Sequence, residues 1–60
     1  MNKSLFPAIC ILRSQGFQES MELEKSKLDN DSKEVETRQY YIDSIDEAIR
    51  ILEIEHSKNL

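Results

Sequence analysis

The sequence predicts an all-α fold: an antiparallel helical hairpin that self-associates into a four-helix bundle. Three observations carry that expectation. Glu, Lys, Leu and Ile abound, with one Gly and one Pro in the whole chain, which is helix composition. Apolar residues fall into two blocks, eight within residues 1–12 and nine within 40–54, whereas residues 13–39 hold five. Between the blocks, Asp29-Asn30-Asp31-Ser32 is the strongest turn signal. A chain folded back at Asn30 lays residues 5–12 against about 48–55, so the two apolar blocks meet at the open end.

The first element is a helix over 4–28, within a single helical domain that takes in residues 1–60. Ser4 is placed to cap it, and Pro7 falls in the first turn, where a missing N–H is tolerated. Leu5, Ile9, Leu12, Gly16 and Leu23 form one apolar row along it; Phe6, Cys10, Phe17, Met21 and Leu28 form another. Gly16 costs about 1 kcal/mol in a helix interior and marks 15–17 as the weak point. A strand over 5–12 is the rival for this segment, but no second strand is there to pair with it.

After a turn at 29–32, a second helix runs over 32–57. Asp31 serves as its N-cap and Glu34 as the capping-box partner. Val35, Ile42, Ile49 and His56 recur every seven residues, and Arg38, Ile45, Leu52 and Asn59 follow each by three. That is the a/d seam of packed helices. Glu34–Arg38 and Asp46–Arg50 are i,i+4 pairs with the acid first, the favourable order.

Self-association follows from size. A chain of 60 residues builds a thin core, and domains this small usually add disulfides, a metal or a partner. Cys10 is the only cysteine, so no internal disulfide forms, and no Cys/His cluster suggests zinc. Association with another chain, a second copy or a target, remains as the stabiliser, with a dimer favoured. Leu5, Ile9 and Leu12 of the first helix and Ile42, Ile45, Ile49 and Leu52 of the second are the expected self-association residues.

Composition and motifs narrow the function. A net charge of −4 repels phosphate, which disfavours nucleic acid. The apolar run from Leu5 to Leu12 falls short of the roughly 20 residues that span a bilayer. Arg13-Ser14-Gln15-Gly16 offers no small-x-small cleavage site after that run, so a cytoplasmic location with a reduced thiol is expected, without membrane contact. A single glycine makes no phosphate loop. Glu53 and His56 have the Glu-x-x-His spacing of a bundle metal site, yet the first helix has no acid before Glu19 to complete it. No metal or cofactor is expected. Cys10, inside an apolar run with no histidine near in sequence, reads as a buried, inert thiol. Ser14 and Ser20 have no base arranged beside them, so no enzyme is expected.

Apolar residues off the seam are what remains. Tyr40, Ile51 and Ile54 form an outer stripe on the second helix, the expected partner-binding residues. The expectation is a small non-catalytic protein-binding factor, an inhibitor or adaptor of the accessory-regulator type found in phages and plasmids. An alternative is a dimeric helical-hairpin RNA- or DNA-binding regulator, with Lys3, Arg13, Lys25, Lys27, Lys33 and Arg38 as a local basic face. A structural subunit of a larger assembly is the third reading.

Overall fold

The computed structural model describes residues 4–58; Lys3 of the expected basic face and Asn59 of the expected heptad lie outside them. Two helices, α1 (Phe6–Leu28) and α2 (Ser32–Lys58), pack against each other as an antiparallel hairpin. No strand occurs among the described residues.

Helix α1 begins two residues later than the sequence suggests. The Phe6 N–H donates to the Ser4 hydroxyl at 3.1 Å, and Pro7 sits in the first turn. The helix then runs unbroken through Gly16, where a weak point was expected. The reason lies in the partner helix: Cγ2 of Ile45 is 3.4 Å from where a Cβ on Gly16 would stand. Ile45 of α2 covers this position at ordinary van der Waals distance, and that packing offsets the poor helix propensity of glycine.

The turn is closed by hydrogen bonds. Asn30 adopts φ 56°, the left-handed conformation that Asn tolerates better than most residues. The Asp31 N–H reaches the Ser26 carbonyl at 3.0 Å and the Asn30 N–H reaches that of Lys27 at 3.2 Å. This is the Schellman pattern, which satisfies carbonyls left over at the end of α1. Asp31 then caps α2 as the sequence predicts, its Oδ1 accepting from the Glu34 N–H at 3.1 Å. Lys25 and Lys27 in the last turn of α1 and Glu34 in the first turn of α2 complement the helix dipoles.

Both helices share a seven-residue period. Ile9, Gly16 and Leu23 take position a in α1, with Leu5, Leu12, Glu19 and Ser26 at d. Val35, Ile42 and Ile49 take a in α2, with Arg38, Ile45 and Leu52 at d. Among the described residues only Ile9, Leu23 and Ser26 are buried, and the rest of the seam is at best half-buried. Ser26 turns its hydroxyl inward, donating to the Glu22 carbonyl at 2.9 Å. The radius of gyration is 14.2 Å, against about 10 Å for a compact domain of this length. Two helices side by side bury a residue only along their line of contact, and no described side chain is fully enclosed.

Two further expectations are corrected. Cys10 is exposed, because it stands beside the seam and not in it. Arg50 bonds Glu47 at 2.8 Å, one turn back, in place of Asp46. Asp46 lies instead beside the seam, in a groove with Arg13.

Candidate functional site

The heptad frame sorts every side chain onto a face. In an antiparallel pair the e positions of both helices border one side of the seam and the g positions the other. The e edge is charged. Arg13 of α1 forms an ion pair across it with Glu53 of α2. A groove along this edge is lined by Arg13, Phe17 and Ser20 of α1 and by Ile42, Asp46 and Ile49 of α2.

At the open end the same edge continues into a groove holding Phe6, Cys10, Arg13, Glu53 and His56. The hairpin thus brings the single histidine into the same groove as Cys10, which sequence distance had concealed. The groups are engaged otherwise than a catalytic triad requires. Glu53 pairs with Arg13, not with the imidazole, and the His56 ring lies against Phe6 with centroids 6.4 Å apart. The Glu-x-x-His pair is likewise divided between two neighbours. No group of three or more potential metal ligands occurs among the described residues.

Towards the turn, the seam carries a polar layer. Arg38 donates from Nη1 to Oε1 of Glu19 and from Nε to Oε1 of Glu34, each at 2.7 Å. The side chains of Arg38 and Glu19 are 27% and 12% exposed. The hydrogen bond from Arg38 holds the Glu19 carboxyl below its usual pKa; desolvation opposes this, and a bond from Gln15 adds to it. The same Glu19 bond, with that to Glu34, raises the pKa of Arg38. Its guanidinium also lies 5.9 Å from the ring centroid of Tyr41.

The expected self-association residues form the seam within one chain: Ile9 is buried, and Leu5, Leu12, Ile42, Ile45, Ile49 and Leu52 are half-buried. Tyr40, Ile51 and Ile54 all stand exposed on α2. Tyr40 and Ile54 share one row with Glu47 between them, and Ile51 occupies the neighbouring row. The second α1 row, whose apolar character beside that of α2 argues for a position in a dimer or heteromeric complex, is open as well: Phe6, Phe17, Met21 and Leu28 are exposed. Ile11 and Tyr41, also exposed, lay in no apolar row off the seam and were missed.

Three residues of the expected basic face are engaged in ion pairs. Arg13 is paired with Glu53, Lys27 with Glu24 at 3.6 Å, and Arg38 with Glu19 and Glu34. No helix among the described residues is long and apolar enough to cross a membrane. No family model, no curated protein and no solved structure matches this chain.

Proposed function

We propose that this chain is a small non-catalytic protein-binding factor, an inhibitor or adaptor that works as a dimer and occupies an apolar groove on another protein. One observation carries the reading. Among the described residues nine large apolar side chains are exposed, whereas two are buried. An ordinary monomer exposes apolar residues singly; rows of them along a helix mark surfaces made to be covered. Tyr40 and Ile54, two heptads apart on one row of α2, suit the helix-in-groove mode. Action without turnover, in a reducing cytoplasm, goes with this reading, as does an accessory regulator of a phage or plasmid.

The test is a binding comparison in the native host. Bait with Tyr40→Ala and Ile54→Ala should lose its protein partner, since central anchors contribute about 2 kcal/mol or more each. Helicity and mass should stay those of the wild type. Nucleic-acid binding that falls steeply with salt and needs Arg13, Lys25 and Lys27 would replace this reading by the RNA one.

A further inference from the structure

The two edges of the seam differ in charge. The e and b positions of the first edge carry Arg13, Glu24 and Lys27 from α1. From α2 they carry Glu36, Asp43, Asp46, Arg50 and Glu53. The g and c positions of the second edge, from residue 8 to 18 of α1, are Ala8, Ile11, Gln15 and Gln18. From residue 37 to 51 of α2 they are Thr37, Tyr41, Ser44, Ala48 and Ile51. None of these is charged at neutral pH, in a chain of which 33% of residues are charged. Charge returns beyond them, at Glu22, Lys25 and Glu34 towards the turn and at Glu55 and Lys58 near the open end.

We propose that this charge-free edge is the docking face for a second copy of the chain, edge against edge, completing a four-helix bundle; the proposal rests on the self-association reading above. A two-helix seam needs apolar residues at a and d alone, whereas a helix inside a bundle adds e or g. Here Ala8 on α1 and Tyr41 and Ala48 on α2 add g, on the same side of the hairpin. Small residues leave room beside large ones, Ala8 next to Ile11 on α1 and Ser44 and Ala48 between Tyr41 and Ile51 on α2, which lets two such faces interdigitate.

Charge names the occupant, and the exposed area of the chain leaves room for an interface of ordinary size. The chain exposes 4880 Å², against about 4000 Å² for a compact monomer of its mass. The excess is close to the roughly 800 Å² that each partner loses in a standard interface. Charge depletion is the signature of an interface core, and a charged partner would bury unpaired ions there. The chain's own second edge is neutral and matched in length. Overlap of the two charge-free stretches leaves Glu22 and Glu34 at the solvated rim.

Sedimentation equilibrium of the full chain tests this. The wild type should sediment at twice its 7.0 kDa mass. Ile11 is 68% exposed in the hairpin, so Ile11→Arg leaves the seam intact. That variant, and Ala48→Arg independently, should weaken dimerisation by about tenfold or more while circular dichroism stays helical. Phe17→Arg, equally exposed on the other edge, should leave the mass unchanged. Unfolding of Ile11→Arg beside a folded, dimeric Phe17→Arg would also support the face, because so exposed a residue can reach the fold only through a second copy. A wild type that remains monomeric at high micromolar concentration overturns self-association itself. A dimer that survives both edge changes but breaks with Phe17→Arg keeps self-association and overturns this face.

Discussion

At the turn end of the hairpin, from Glu19 round to Arg38, the helices are held largely by hydrogen bonds. The Schellman bonds to Ser26 and Lys27, the Asp31 cap and the Glu19–Arg38–Glu34 layer all fall within that stretch. At the open end packing predominates, beside the Arg13–Glu53 ion pair. Ile9 is buried there, Leu12, Ile49 and Leu52 are half-buried, and Phe6 lies against His56. The turn end joins residues near in sequence, so little chain entropy is lost in closing it. The open end joins residues some forty positions apart and depends chiefly on apolar contact to hold them. The polar end therefore specifies where the helices meet; the apolar block makes the open end the expected source of most of the stability, with Leu23 the buried apolar residue at the turn end.

The largest blow to that division is a charge in the open-end seam. Ile9→Asp should cost about 3 kcal/mol or more and abolish the helical signal by circular dichroism. A cavity at the other end is the matched comparison. Leu23→Ala should cost about 2–3 kcal/mol, read as a lower urea midpoint with helices retained. Ile9→Ala, the like-for-like cavity at the open end, should cost more than Leu23→Ala; an equal or smaller loss would mean that the turn end carries the stability.

Smaller changes sharpen the account of the turn end. Asp31→Ala removes the α2 cap and should cost about 1 kcal/mol, with faster amide exchange confined to the first turn of α2. Acid should weaken the polar layer. Because Arg38 holds Glu19 below its unfolded-state pKa, the folded chain binds the proton less readily. Its contribution to stability is present above the unfolded pKa and is lost as pH falls through the folded one. Glu19→Gln should remove that part of the acid dependence, visible in denaturation midpoints taken across the carboxylate range. Gly16→Ala is the mildest change. The new methyl meets Ile45 at ordinary contact distance, so up to about 1 kcal/mol of helix propensity should appear as added stability. Destabilisation would show that the helices cannot part there.

Much of this architecture is legible in the residues themselves. The turn cluster, the Asp31 cap, the Glu34–Arg38 pair and the α2 heptad depend on neighbours within a turn or two of helix, where propensity and spacing decide. The α1 half of the seam reads in sequence as an apolar row broken after Gly16, because Glu19 and Ser26 do not look like seam residues. Their place is visible only beside Arg38 and the close approach at the turn. Cys10 misleads for a related reason: an apolar run in a helix points in every direction, and which face is covered depends on the partner helix.

Two helices, the turn between them and the pairing of the apolar blocks can be read from the residues alone, because these follow from local propensity and a seven-residue period. Other features exist only once the helices are packed: Glu19 meets Arg38, Arg13 crosses to Glu53, Cys10 and His56 share a groove, and one edge of the seam is charged where the middle of the other is not. Each of these depends on how two helices are rotated and slid against one another. That choice is made by the sum of many weak contacts across the seam, and no single stretch of sequence contains it.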